Sequence, residues 1–233
     1  MRNFAGYTEN ENFKVGCTGQ TTYVYDKDGN ELARFKKDIL YGYRPMFRPN
    51  SNIVVVKSTM DKIAIYDLDS LNLVKKFRFV PTSNCGAQDH GMCFSMDGKL
   101  FYNIENRVRL ETCLAIYSTK NFEQITVLFE NNKKQSLQYI ECDEERGNIY
   151  ILGYMRDDEG IYHQPFVAQF KDDKIINRTD ISHDEYEYLH GYKDLESHGF
   201  TQEIKEWSAL SRHYGYDLTD IEKKNIRLAD YIK

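Results

Sequence analysis

The chain has 233 residues, of which 41% are apolar and 14% aromatic, and a formal net charge of −5. That length supplies one large domain, or one domain with an appendage, and the mild acidity argues against a general nucleic-acid binder, which carries a basic excess. The opening residues 1–11 are polar and lack a secretory pattern. The longest apolar run of the first half, Ile53–Val56, is far too short to span a bilayer. Neither a membrane nor nucleic acid is therefore expected as a partner, and a cytoplasmic location is. The five cysteines, Cys17, Cys85, Cys93, Cys113 and Cys142, show no paired metal or redox spacing and are expected to be reduced, small hydrophobes.

Taken in chain order, the elements repeat. Phe13–Gly16 and Thr22–Tyr25 are short β segments, followed by the turn Asp26–Asn30 and the segment Glu31–Phe35. The next unit places the turn Arg48–Asn52 before Ile53–Val56, then Ile63–Asp67, the turn Leu68–Ser70 and Leu73–Phe77. A third copy runs through Ser95–Lys99, Leu100–Ile104, Cys113–Tyr117 and Gln124–Phe129, and a fourth through Asp143–Asn148, Ile149–Leu152, Phe166–Phe170 and Ile175–Ile176. The second strands begin at Ile53, Leu100 and Ile149, spacings of 47 and 49 residues. Asp-Gly and Asn-Ser pairs mark the hairpins between them.

A four-stranded sheet of about 45 residues cannot bury both faces alone, and stacking such sheets radially solves the problem. The expected fold is therefore mainly β, a propeller-like array of about four four-stranded blades over residues 1–181, with a small α-helical tail over 182–233. The run Phe47–Val56 followed by Lys62–Asp67 resembles a blade of the WD-repeat and YVTN-type β-propeller superfamily, and the likeness extends over roughly residues 13–181. What the resemblance implies is the fold, since propellers host binders and enzymes alike. The first unit lacks an innermost strand, which either Arg2–Tyr7 or Glu185–Tyr192 could supply; an open half-propeller, or a homodimer that completes the ring, is the alternative.

In an up-and-down blade, the second-to-third strand loops and the inter-blade loops share one end. Here those are the longer ones, Val80–Asp89, Glu105–Glu111, Glu130–Gln135 and Met155–Gln164, while the opposite turns are tight. Function gathers on longer loops carried by a rigid scaffold. The expected role is accordingly a non-catalytic interaction module that binds a protein partner there, through Gln88, Asp89, His90, Arg107, Arg109, Arg156, Asp157, Asp158, Tyr162 and His163, with exposed Arg and Tyr as anchors. The alternative is a propeller hydrolase or lyase acting on a sugar or another small polar substrate, which calls for an Arg and two carboxylates in one pocket.

In the tail, Thr201 is expected to cap a helix bearing Ile204, Trp207 and Leu210, and Thr219-x-x-Glu222 to open a second one, each of about three turns. Trp207 is the natural anchor for packing or for a partner. No catalytic residue, cofactor or metal is expected. Asp157–Gly160 lacks the alternating spacing of a calcium loop, Gly16–Gly19 reads as a turn rather than a phosphate loop, and His183, His190 and His198 read as solvated.

Overall fold

A computed structural model describes residues 2–79, 88–108, 111–143 and 145–232. Among the described residues, sixteen strands form four antiparallel sheets, each with its strands in sequence order. The first holds β1 (Gly6–Glu9), β2 (Phe13–Cys17), β3 (Thr21–Asp26) and β4 (Glu31–Lys36). The second holds β5 (Gly42–Phe47), β6 (Ile53–Ser58), β7 (Lys62–Asp67) and β8 (Asn72–Arg78). The third holds β9 (Met92–Phe94), β10 (Leu100–Val108), β11 (Glu111–Ser118) and β12 (Glu123–Leu128), and the fourth β13 (Gln135–Cys142), β14 (Ile149–Arg156), β15 (Tyr162–Lys171) and β16 (Lys174–Asp180). The second strands of the last three sheets start at Ile53, Leu100 and Ile149, where the repeat puts them. Of the two candidate sources for the missing inner strand, the N-terminal one provides it: β1 pairs with β2 in the register Gly6↔Cys17. Glu185–Tyr192 lies within a helix instead, α1 (His183–Ser197).

The chain packs as two compact units, one of Met1–Pro81 with Gly191–Lys224 and one of Thr82–His190 with Asn225–Lys233. The change of grammar at 181/182 falls between the end of β16 and the start of α1. In the first unit the core is Val15, Cys17, Val24, Val54, Val56, Ala64, Tyr66 and Leu68, and Phe35 stacks on Tyr66 with ring centroids 4.3 Å apart. In the second, Ile104, Leu114, Ile116, Leu137, Ile140, Ile149, Ile151, Phe166 and Phe170 form the main cluster. Burying each such side chain stabilises the fold by about 1.5–3 kcal/mol before entropy is counted. The outermost strands are the wet ones: β8 alternates exposed and half-buried residues and carries Lys75, Lys76 and Arg78, charges that discourage edge-to-edge pairing.

In both units the inner strands of neighbouring sheets meet across a glycine. A Cβ on Gly6 would overlap the carbonyl oxygen of Tyr43 on β5. A Cβ on Gly91, just before β9, would lie 2.8 Å from the backbone nitrogen of Ile140 on β13. The approach at Gly91 is fixed by its own N–H, which donates to Gln138 O at 2.9 Å, while Ile104 N donates to Gly91 O at 3.1 Å.

The tail differs from expectation in three places. First, α1 opens on a capping box: Glu185 N donates to Ser182 Oγ (3.2 Å), and Ser182 N donates to Glu185 Oε2 (2.7 Å). Its residues Tyr186 and Leu189 join Tyr139, Tyr150, Leu152, Val167, Ile181 and Leu228 in a second cluster on the fourth sheet. Second, Thr201 does cap α2 (Gln202–Trp207), its Oγ1 accepting from Ile204 N at 3.3 Å, but the helix is short and Trp207 is 55% exposed. The buried anchor is Leu210, on α3 (Ala209–Arg212), which packs over Gly191. Third, no helix follows Thr219, whose hydroxyl donates to Asp217 at 2.6 Å. Two 3-10 turns, Ile221–Lys223 and Leu228–Tyr231, stand there, separated by Asn225 at φ 42. Among the described residues, no helix is long and apolar enough to cross a membrane.

The close approaches make a testable point. Gly91→Ala and Gly6→Ala should each cost about 1–3 kcal/mol in urea unfolding, because the added Cβ meets backbone of the neighbouring sheet.

Candidate functional site

Within the second unit, a polar recess of about 380 Å³ opens at the loop end of the third and fourth sheets. Five strand ends and one helix build it. Asp89 and His90 lead into β9, Asn106 lies near the end of β10 and Thr112 near the start of β11; Ser136 and Gln138 open β13, Tyr154 and Arg156 close β14, and His190 comes from α1.

The local chemistry explains the placement. Gln88, fully buried, clamps the Asn106 backbone from both sides: its Nε2 donates to Asn106 O (2.7 Å) and its Oε1 accepts from Asn106 N (2.8 Å). This clamp sits beside an irregularity in the β10–β11 register between Asn106 and Val108. Thr112 Oγ1 accepts from Leu137 N at 2.7 Å, tying the third sheet to the fourth, and Gln138 Nε2 donates to Ser136 Oγ at 2.7 Å. Arg156 donates from Nη2 to the Tyr154 hydroxyl (3.0 Å) and from Nη1 to Gly160 O (3.3 Å). Its guanidinium carbon stands 5.1 Å from the Tyr154 ring centroid. Asn106 Oδ1 and Arg156 Nε, both buried from solvent, have no hydrogen-bond partner among the described residues. The lining carries one carboxylate, Asp89, and one guanidinium, Arg156.

The expected site residues separate. Asp89, His90 and Arg156 line the recess. Gln88 is buried rather than exposed, and acts on Asn106. Arg107 turns away: it donates to Glu105 (2.7 Å), Gln124 (2.7 Å) and Glu130 (3.3 Å). Arg109 lies outside the described residues, as do residues 80–87 with Cys85. Asp157 organises its own turn, Oδ1 accepting from Glu159 N and Ile161 N, while Asp158 is exposed and pairs with Lys134 at 3.2 Å. Tyr162 packs on Tyr154 (4.9 Å) and Tyr186 (5.7 Å), and its hydroxyl is 3.1 Å from His183 Nδ1. His163 is exposed, and Trp207 belongs to the first unit. Two expected loops are shorter than they looked, since β10 runs to Val108, β11 starts at Glu111, β14 runs to Arg156 and β15 starts at Tyr162.

The histidines are not simply solvated. His190 stacks on Tyr186 (5.6 Å). His198 is buried in the first unit against Asp194 O (2.8 Å), and desolvation, then the nearby Arg44 charge, lowers its pKa to about 4. No group of three or more His, Cys, Asp or Glu suited to a metal occurs among the described residues. Cys17, Cys93 and Cys113 are buried and Cys142 is half-buried, with no disulfide among them; burial pushes Cys17 up to about 12.

Below Arg107 lies a buried carboxylate. Glu105 accepts from the Tyr117 hydroxyl (2.6 Å), Asn103 Nδ2 (3.0 Å) and Arg107 Nε. Burial nevertheless holds its pKa above the ordinary carboxylate value of 4.5, because the desolvation outweighs what these partners return.

No protein-family model matches the chain, and no curated protein sequence matches it. Among solved structures, it is similar to the WD40 domain of Toxoplasma gondii coronin, with a TM-score of 0.53 and 13% identity over 72% of this chain and 43% of that one. It is also similar to the dihydro-heme d1 dehydrogenase NirN in complex with DHE, with a TM-score of 0.52 and 17% identity over 73% of this chain and 35% of that one. The chain thus matches less than half the length of either protein. The fold is that of a β-propeller, WD40-like in its four-stranded meanders; at these identities the likeness shows the fold alone.

Two measurements test the site's framework. Gln88→Ala removes both bonds to the Asn106 backbone and should destabilise the protein by about 1–3 kcal/mol in urea. For Glu105, the folded pKa lies above the unfolded one, so the fold binds the proton more tightly. Its contribution is therefore fully present below pH 4.5 and is lost as pH rises through the raised pKa. The urea midpoint of Glu105→Gln should show a shallower fall than the parent over that window.

Proposed function

We propose that this chain is a non-catalytic, cytoplasmic interaction module that docks a protein partner on the loop end of its second unit. The observation that carries the reading is the recess beside the β14–β15 hairpin. Asp157, Asp158, Ile161 and His163 stand exposed at that hairpin, Ile161 at 57%, while Tyr154, Arg156 and Tyr162 at its base are held by stacking and hydrogen bonds. Held aromatic and Arg side chains lose little entropy on contact and suit interface anchors. The resemblance to a coronin WD40 domain is consistent with this, as fold likeness alone. The hydrolase or lyase alternative calls for an Arg with two carboxylates, and the recess is lined by Arg156 with Asp89.

The test is a pull-down from native lysate with partner identification. The intact chain is compared with Asp158→Arg/Ile161→Asp/His163→Asp and with Lys120→Glu, which lies on the opposite turns. A partner retained by the intact chain and by Lys120→Glu, and reduced at least about tenfold by the hairpin variant, supports docking; about 1.4 kcal/mol suffices for that. A partner held equally by all three places docking elsewhere.

A further inference from the structure

The stretch from Gly191 on belongs to the first unit, and its turn at residues 194–199 meets both sheets of that unit. Tyr7 N, on β1, donates to His198 O at 3.0 Å. The chain then passes so close to β1 that a Cβ on Gly199, at φ 68, would lie 2.1 Å from Tyr7 O. On β5, Arg44 Nη2 donates to Asp194 Oδ1 at 2.6 Å. The turn thus clasps two inner strands, β1 through backbone and β5 through an ion pair.

An imidazole sits inside the clasp. His198 is 5% exposed, and its Nδ1 lies 2.8 Å from Asp194 O, 3.3 Å from Ser197 Oγ and 3.6 Å from Asp194 Oδ1. A carbonyl oxygen only accepts, so Nδ1 carries the hydrogen and Nε2 is the place for a second proton. The charged groups acting on the ring are Arg44 from β5 and Asp194 from α1. From β1 the contact is backbone, the phenol of Tyr7 being bonded to Glu9.

These positions oppose protonation. Arg44 already holds the Asp194 carboxylate, so a cation at His198 would share that carboxylate with a guanidinium and lose its water. The C-terminal end of a helix favours a cation, but weakly. Burial, then the Arg44 charge, prevails and holds the docked ring at about 4. Released into solvent, the same ring returns to the ordinary value of about 6.5.

We propose that residues 194–199 form an acid-sensitive clasp, closed on β1 and β5 while His198 is neutral and opened when its imidazole takes a proton. The released form binds the proton more tightly, so docking is strongest above pH 6.5 and weakens as pH falls from there towards 4. At pH 5.5 a released imidazole is protonated in about ten of every eleven molecules, while the docked one is largely neutral. The opening constant should therefore rise about tenfold between pH 7.5 and 5.5. Opening exposes the Tyr7 N–H and the Arg44 guanidinium, independently of docking at the second unit.

The experiment is hydrogen exchange on the full chain at pH 7.5 and 5.5, with rates corrected for their intrinsic pH dependence. The Tyr7 amide should open more often than the amides of β6 at both values, and about tenfold more often at the lower one. His198→Asn keeps a neutral N–H donor where Nδ1 stands and has nothing to titrate, so the pH dependence at Tyr7 should vanish. An NMR titration of the parent needs no variant: the His198 ring should remain neutral at pH 5.5. Opening at Tyr7 no more frequent than in β6 means that the clasp opens only as the unit unfolds, and overturns the proposal. So does a Tyr7 opening constant independent of pH, an unchanged dependence in His198→Asn, or a His198 ring that titrates at about 6.5.

Discussion

The close passage of one inner strand against the next is the constraint on which both units depend. A blade is a twisted four-stranded meander with two apolar faces, and it becomes stable only when a neighbour covers one of them. At the inner edge the strands converge, and a side chain there would hold them apart. Gly6 against Tyr43 and Gly91 against Ile140 remove that side chain. The hydrogen bond from Gly91 N to Gln138 O then ties the two sheets through backbone. Backbone-to-backbone contact sets their spacing more tightly than apolar packing can, because its geometry tolerates only tenths of an ångström.

The recess follows from that spacing. Its walls come from two sheets, so its width depends on how closely β9 and β13 pass. Thr112, two strands further out on β11, reinforces the passage by accepting from Leu137 N. Gln88, on the segment leading into β9, is tied to β10 of the same sheet and so fixes the Asn106 backbone. Polar residues at the loop end thus serve the assembly of the sheets first.

The sequence made the repeat legible because β turns are chemically marked and regularly spaced. Asp97-Gly98 and Asn50-Ser51 mark their hairpins, and the second strands start at Ile53, Leu100 and Ile149 as the repeat predicts. The helices were harder, since one signal occurs twice with opposite results. Ser182-x-x-Glu185 forms a capping box, whereas Thr219-x-x-Glu222 carries the same pattern and does not. The difference lies downstream. Tyr186, Leu189, Tyr192 and Leu195 are buried at helical spacing after the first. After the second, the expected stripe of Ile221, Leu228, Ala229 and Ile232 is broken by Asn225 at φ 42, and Ile221 and Leu228 are buried from two separate 3-10 turns. A cap satisfies a few backbone groups, but burial decides whether a short helix persists. The loop end was legible as a region. Its lining was not: Asn106, Thr112, Ser136, Gln138 and Tyr154 are strand residues brought together by sheet packing, which no local pattern encodes.

Arg107 and Arg156 show why residue type alone could not assign the site. Both are arginines at one position of the repeat, and from sequence both were candidates for docking. In the third sheet, a carboxylate two residues earlier draws the guanidinium inward. Glu105 is desolvated so far that even three donors leave its pKa raised, and that buried network commits Arg107 to the sheet; breaking such a pair costs about 3–5 kcal/mol. In the fourth sheet a tyrosine replaces the carboxylate. Its ring supports Arg156 and its hydroxyl accepts one hydrogen bond, yet it lacks the second oxygen and the charge that would engage Nε. The difference at one position of the repeat leaves Arg107 bound into its sheet by a carboxylate and Arg156 braced by a phenol in the lining of the recess. Divergence between blades, rather than the fold they share, thus distinguishes the candidate site.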